Sequence, residues 1–265
     1  VNVLYFDTET TGLPKASKPY NHPEQPHITQ LGFILEVNGH DAMVVDTLIE
    51  PDNWPIQQDS GTGIGKIASE LTGITEEMCR ESGIPIADAV ELFVVAAENA
   101  DFIVCHNVAF DTKIIGMEYN RLRPDVSPKT VLCGRPTICT MLAATPVCRL
   151  PKGDGKGSGF KWPKLIEAMQ FFFNEGLDGA HSAIVDILAT RRVFHKLGGL
   201  GYLDEQLIKG GLDPNVVNWL DIPTAADKRA ALVEMITRAD TELNVSGTTF
   251  ENALAEQIIA SKVLV

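Results

Sequence analysis

The first apolar run of the chain, Val3-Leu4-Tyr5-Phe6, ends in Asp7-Thr8-Glu9-Thr10-Thr11-Gly12-Leu13. A run of this kind closed by turn-forming residues predicts a buried strand. Ile28 to Glu36 and Met43 to Ile49 predict two further strands. Between them stands Asn38-Gly39, whose tolerance of positive φ makes it the strongest short hairpin signal. Three consecutive strands therefore open the chain, the latter two antiparallel. Pro14 to Pro26, rich in proline and polar residues, is a loop by composition, and it starts close enough to the end of the first strand to overhang it.

From Pro85 to Ala100, apolar residues recur at helical spacing (Ile86, Val90, Phe93, Val94, Ala97), and Asp101 to Cys105 reads as the next strand. An amphipathic segment with Ile114, Ile115, Met117 and Leu122 comes next, and Thr137 to Met141 is expected to complete the sheet. After Asp178-Gly179 a helix is predicted with Ile184, Ile187 and Leu188 on one face. The character changes beyond Gly198-Gly199-Leu200-Gly201. Asp213-Pro214 and Thr224 look like helix starts, and Thr248-Thr249-Phe250-Glu251 is a capping-box pattern before Leu254, Ile258 and Ile259. The expected division is an α/β domain over residues 1–200 and a helical appendage over 201–265. Packing on the main domain is the plain role for the appendage, and partner binding or clamping of a strand the sharper one.

The 265 residues suffice to bury a large core, and 45% hydrophobic with 22% charged residues is the composition of a globular enzyme. No apolar run approaches a membrane span, and the first residues lack the basic-then-apolar layout of a signal peptide, so a cytoplasmic protein is expected, with no membrane partner. Five cysteines without a Cys-x-x-Cys pair suggest free thiols rather than a disulfide framework or zinc ribbon. The net charge of −13 argues against coating duplex nucleic acid with a broad basic face, but leaves room for an enzyme that grips a strand end.

Residues two apart on a strand share a face, so Asp7 and Glu9 are forced together. Like charges so placed need a cation between them or a proton on one of them. Oxygen donors without cysteine suit magnesium or manganese better than zinc. For an isolated Asp-x-Glu, solvated or lysine-paired acids are the ordinary case, and the acids farther down the chain change the odds. Asp111, in His106-Asn107-Val108-Ala109-Phe110-Asp111, falls in the first turn of a helix directly after a strand, where an aspartate by itself usually offsets the helix dipole. Residues five apart lie about 140° apart around a helix, so His181 and Asp186 converge only if His181 stands in the preceding loop, which Gly179 permits. Asp186, between Val185 and Ile187, needs a partner if buried, and a metal is a suitable one.

Gly61 to Lys66 invites a phosphate-loop reading and fails it. Ser60 stands where the first glycine belongs and Ile67 where a Ser or Thr should come after the lysine, so a surface loop into a helix is expected. Leu150 to Lys161, with Lys164 just beyond, is glycine-rich and locally basic, readable as a linker or as a strand-contacting loop.

Together, the segments Phe6 to Gly12, His106 to Asp111, and His181 with Asp186 resemble, in order and spacing, the three motifs of the DEDDh 3′-to-5′ exonucleases, the family similar to the proofreading (epsilon) subunit of bacterial DNA polymerase III. Leu71-Thr72-Gly73-Ile74-Thr75 resembles a segment between the first two motifs. The likeness covers residues 1–197. It implies an RNase H-like mixed five-stranded sheet flanked by helices, with the first three strands antiparallel. It implies that Asp7, Glu9, Asp111 and Asp186 hold two divalent ions, Mg2+ or Mn2+, and that His181 is the general base. The sister subfamily places tyrosine where this chain has Ser182. Thr10 and Leu13 match positions that contact and wedge the terminal nucleotide, and His106 and Asn107 belong to the second motif at the substrate site.

The expected function is a metal-dependent 3′-to-5′ exonuclease on single-stranded or frayed DNA, releasing nucleoside 5′-monophosphates. The alternatives are an exoribonuclease of the same fold, similar to RNase T and oligoribonuclease, and a non-catalytic polymerase-associated nucleic-acid-binding module. The presence of all four carboxylates and His181 speaks against the last. The expected partners are a 3′ single-stranded end and a DNA polymerase or repair assembly.

Overall fold

The computed structural model describes residues 1–153 and 159–219. Five strands, β1 (Asn2–Thr10), β2 (Ile28–Val37), β3 (His40–Leu48), β4 (Phe102–Cys105) and β5 (Thr137–Cys139), form one mixed sheet in the order β3-β2-β1-β4-β5. The β1–β2 and β2–β3 pairs are antiparallel, and β4 and β5 run parallel to β1. The hairpin forms where Asn38-Gly39 predicts it, with φ of 53° and 83°.

Eight α-helices are described: α1 (Lys66–Thr72), α2 (Glu76–Ser82), α3 (Ile86–Asn99), α4 (Val108–Leu122), α5 (Thr140–Cys148), α6 (Leu165–Phe173), α7 (Ala183–Gly199) and α8 (Asp204–Lys209). Side-chain alternation along β1 divides the core in two. Val3 and Tyr5 pack with residues of α5, α6 and α7 on one face of the sheet. Leu4 and Phe6 pack with α3 and α4 on the other. Strand β2 is buried on both faces and therefore reads as a continuous apolar run rather than an alternating one.

Three local readings change. The fifth strand stops at Cys139, and Thr140 and Met141 already belong to α5, a helix whose internal Pro146 and weak apolar periodicity hid it. Leu188 is 41% exposed, because at α7 the sheet-facing stripe runs through Ile187 instead. Asp213-Pro214 opens one short 3-10 turn, capped by the Asp213 side chain. Residues 201–219 carry Leu203, Leu207 and Val217 into the same core as α7. The loop residues 154–158, the helix start at Thr224 and the capping box at Thr248 lie outside the described residues. All five cysteines are free, and no described helix is long and apolar enough to cross a membrane.

Candidate active site

Strand β1 delivers its acids to one end of the sheet. By the same alternation that buries Val3 and Tyr5 under α7, Asp7 and Glu9 face α7, while Thr8 faces α4. Across the β1–β2 ladder, Asp7 stands opposite Gly32 and Glu9 opposite Gln30. A β-carbon at position 32 would lie 2.8 Å from Ala183 Cβ and 2.9 Å from Ile187 Cδ1. The missing side chain is what lets the first turn of α7 settle on the sheet and bring Asp186 to the β1 acids. The Gln30 side-chain oxygen accepts a hydrogen bond from the Ala183 N–H at 3.2 Å, tying the first residue of α7 to the strand that flanks Glu9.

That loop turns through left-handed conformations at Gly179 (φ 77°) and His181 (φ 67°). His181 thereby precedes the helix, and its backbone N–H reaches Asp186 Oδ2 at 3.4 Å. Ligand atoms of Glu9, His181 and Asp186 lie within 4.8 Å of one another. Asp111 arrives from the opposite face: it sits buried in the first turn of α4, and its Oδ1 accepts both the Thr8 N–H (3.1 Å) and the Thr8 hydroxyl (2.9 Å).

The electrostatics reflect this crowding. Burial, and then the charges of Asp111, Asp186 and Glu9, hold the Asp7 carboxyl well above the usual carboxylate range. Burial, with Asp186 and Asp111, pushes Glu9 up to about 8. Burial also raises Asp111 to about 7, against the lowering effect of the two Thr8 hydrogen bonds. Asp186 is raised by burial and pulled back by His181. Asp186 Oδ1 is buried without a hydrogen-bond donor among the described residues. An orphaned carboxylate oxygen among acids that repel one another is a donor set suited to hard divalent cations, which take carboxylate oxygens and supply the missing positive charge.

The remaining predicted residues divide. Leu13 is 80% exposed. It stands on the rim of a cleft of about 1090 Å³ that also takes in Glu9, Ile67, Leu71, Phe110 and His181. Thr10 lines the same cleft, with its hydroxyl donating to the Gly12 carbonyl at 2.8 Å. His106 is engaged on both ring nitrogens, Nδ1 with Thr140 Oγ1 (3.0 Å) and Nε2 with the Pro163 carbonyl (2.9 Å). Since that carbonyl can only accept, Nε2 carries the proton, and burial lowers the pKa of the ring. The geometry makes His106 a brace between β4, α5 and the segment before α6. Asn107 is exposed at the start of α4 with φ 70°.

Sequence reasoning passed over Thr8, Gly32, Gln30 and the apolar cleft wall at Ile67. Only Gly32 carried a signal, as a glycine inside an apolar strand. The wall and the two hydrogen-bonding residues depend on contacts between distant segments.

The family profile for the RNase T exonucleases matches residues 4–194. No curated protein sequence matches the chain. Among solved structures, E. coli Exonuclease I in complex with a dT13 oligonucleotide superposes with a TM-score of 0.52 at 16% identity, covering 78% of this chain and 42% of that one. The same enzyme with a dA16 oligonucleotide gives 0.52 at 18%, covering 78% and 42%. A moderately thermophilic Exonuclease I from Methylocaldum szegediense gives 0.51 at 21%, covering 78% and 41%. At these identities the likeness is one of fold, and the chain spans less than half the length of these relatives.

Proposed function

The chain belongs to the RNase T family of exonucleases, and we propose that it degrades single-stranded or frayed DNA from the 3′ end, releasing nucleoside 5′-monophosphates. The observation that carries this reading is the convergence of Asp7, Glu9, Asp111 and Asp186 from three separate segments onto one end of the sheet, with His181 beside them and one buried carboxylate oxygen left unpaired.

In this reading the four carboxylates hold two magnesium or manganese ions. Held by these carboxylates, the ions would supply positive charge to a phosphoryl displacement. The protein's own groups do the rest. His181, exposed at the cleft, accepts the proton of the attacking water on a ring nitrogen as general base. Its left-handed backbone and the bond from its N–H to Asp186 set the ring's starting position. Thr8 holds Asp111 in one orientation through two hydrogen bonds to the same oxygen. Leu13, with Ile67 and Leu71 lining the same cleft, presents an apolar surface to the terminal base.

Single-stranded DNA is favoured because the structurally similar E. coli Exonuclease I is seen with dT13 and dA16 oligonucleotides. A polymerase or repair assembly stays the proposed setting, and one solved structure holds Exonuclease I together with SSB. Residues 1–200 are read as the exonuclease domain and 201–265 as its appendage, the family match ending at residue 194, with Leu203, Leu207 and Val217 packed into the same core as α7.

The test uses 5′-labelled single-stranded DNA and RNA oligonucleotides of matched sequence, with magnesium and then with chelator, and Asp7→Ala in parallel. A metal-dependent ladder shortening from the 3′ end and absent in the variant is expected, with DNA degraded faster. Faster degradation of RNA would move the reading to an exoribonuclease. Degradation of neither strand under any metal would end the enzymatic reading.

A further inference from the structure

Between α5 and α6 an acidic molecule turns basic and aromatic. Residues 149–167 carry five basic residues against two acidic ones, in a chain of net charge −13. Within this stretch exposure alternates: Phe160, Trp162 and Lys164 are exposed, Lys161 is half-buried and Pro163 is buried. The side chains that residues 160–164 leave to solvent are those of Phe160, Trp162 and Lys164. The Trp162 indole is 64% exposed and makes no ring contact or hydrogen bond among the described residues. Arg149 extends the basic character, its guanidinium 5.9 Å from the centre of the Phe160 ring. The one described acid in the stretch, Glu167, is paired with Lys161.

Residues 161–164 are fastened in place. The Lys161 N–H donates to the Leu150 carbonyl at 2.9 Å, and the Lys164 N–H to Glu167 Oε2 at 2.7 Å. His106 Nε2 donates to the Pro163 carbonyl at 2.9 Å, which fixes the strip to the end of β4, five residues ahead of Asp111. Folding does not require an indole held in water at this point, and the neighbouring aromatic and cations match what a single strand offers: a base face to stack and a phosphate to neutralise. Elsewhere the net negative charge opposes a nucleic-acid backbone, so a local basic strip also sets where a strand runs.

We propose that Phe160, Trp162 and Lys164 form a stacking platform for the single strand that leads away from the terminal nucleotide. The platform rests on the exonuclease reading above and adds a second, sequence-tolerant contact to it. It makes longer strands better substrates than short ones.

The test compares kcat/KM for a three-nucleotide and a twelve-nucleotide oligothymidylate with magnesium. The native protein favours the longer strand. In Trp162→Ala that advantage shrinks about tenfold or more, the scale of one lost base stack, and Trp162→Phe, which keeps a ring, restores most of it. Lys164→Gln flattens the log–log dependence of KM on salt by about 0.7, the value for one phosphate contact on a single strand. An unchanged length advantage in Trp162→Ala, or an equal loss on both lengths, would overturn the platform while leaving the nuclease standing. A native protein that degrades neither strand removes the exonuclease reading, and the platform with it. Because Trp162 lies exposed at the surface, a thermal melt of Trp162→Ala is expected to match the native protein.

Discussion

Gly32 stands directly across the β1–β2 ladder from Asp7, and the space left by its absent side chain is occupied by Ala183 and Ile187 of α7. One glycine thus sets how close the helix carrying Asp186 comes to the strand carrying Asp7. Gly32→Ala would force a methyl to within 3 Å of both side chains. The expected cost is about 1–3 kcal/mol of stability from overpacking. Displacing Asp186 by roughly 1 Å should also lower activity by about 100-fold. Melting curves and kcat on the same preparation check both, and a variant with full activity would show that α7 tolerates the shift.

Asp7 is held in the folded protein against its own preference for charge and that of its neighbours. Replacing it with the neutral isostere, Asp7→Asn, should separate stability from function. In chelator the melting temperature is expected to rise, by about 2–4 °C for each kcal/mol of repulsion relieved in a protein of this size. Exonuclease activity should fall on the order of 10³-fold, since a ligand to the proposed ions is lost. A variant that is less stable than the native protein in chelator would contradict the account of the site as a cluster of mutually repelling acids.

The raised carboxyls of Asp7, Glu9, Asp111 and Asp186 make the metal-free fold sensitive to alkali. Each holds its proton to higher pH in the folded chain than in the unfolded one, where carboxyls titrate near about 4. Their contribution to stability is therefore full below the unfolded value and is lost as pH rises through the folded values, about 7 for Asp111 and about 8 for Glu9. Buried His195, lowered to about 4, acts in the opposite sense, but only at lower pH, below the ordinary histidine value of about 6.5. Between roughly pH 6.5 and 8.5 the melting temperature in chelator should fall. Added magnesium or manganese should restore it most at the alkaline end, because binding displaces the protons. A flat chelated profile across this range would count against the cluster.

His181 occupies the left-handed region at φ 67°, which asparagine tolerates well among residues with a side chain. His181→Asn should keep the loop, and the melting temperature with it, while removing the proton acceptor. A loss of about 10²–10⁴-fold in kcat is expected. A variant that keeps the native kcat would assign the base elsewhere.

Much of the site was legible in the chain itself. The two-residue spacing of Asp7 and Glu9 commits them to one face of a strand, since strand periodicity is a local property of the backbone. Asn38-Gly39 announced its hairpin for the same local reason, and Asp111 passed from β4 into the first turn of α4 as its position after an apolar run required. The segment 140–173 was less legible. Helix α5 contains Pro146 and lacks a clear apolar stripe, and Trp162 gave no sign in the sequence of being exposed. His106 resembles a substrate residue by motif, yet both of its nitrogens are engaged by Thr140 and Pro163, partners 34 and 57 residues away.

What the sequence by itself determined is therefore what propagates along the backbone: the alternation that aims the β1 acids, the turn chemistry of the hairpin, and the placement of Asp111 and Asp186 in the first turns of helices. Only the tertiary structure decided which groups meet. Thr8 grips Asp111, Gly32 admits α7, and Leu13 lines one cleft with Ile67 and Leu71. These pairings depend on how close two separately formed elements can pack, a distance set by side-chain volumes at the contact and by no period within either segment.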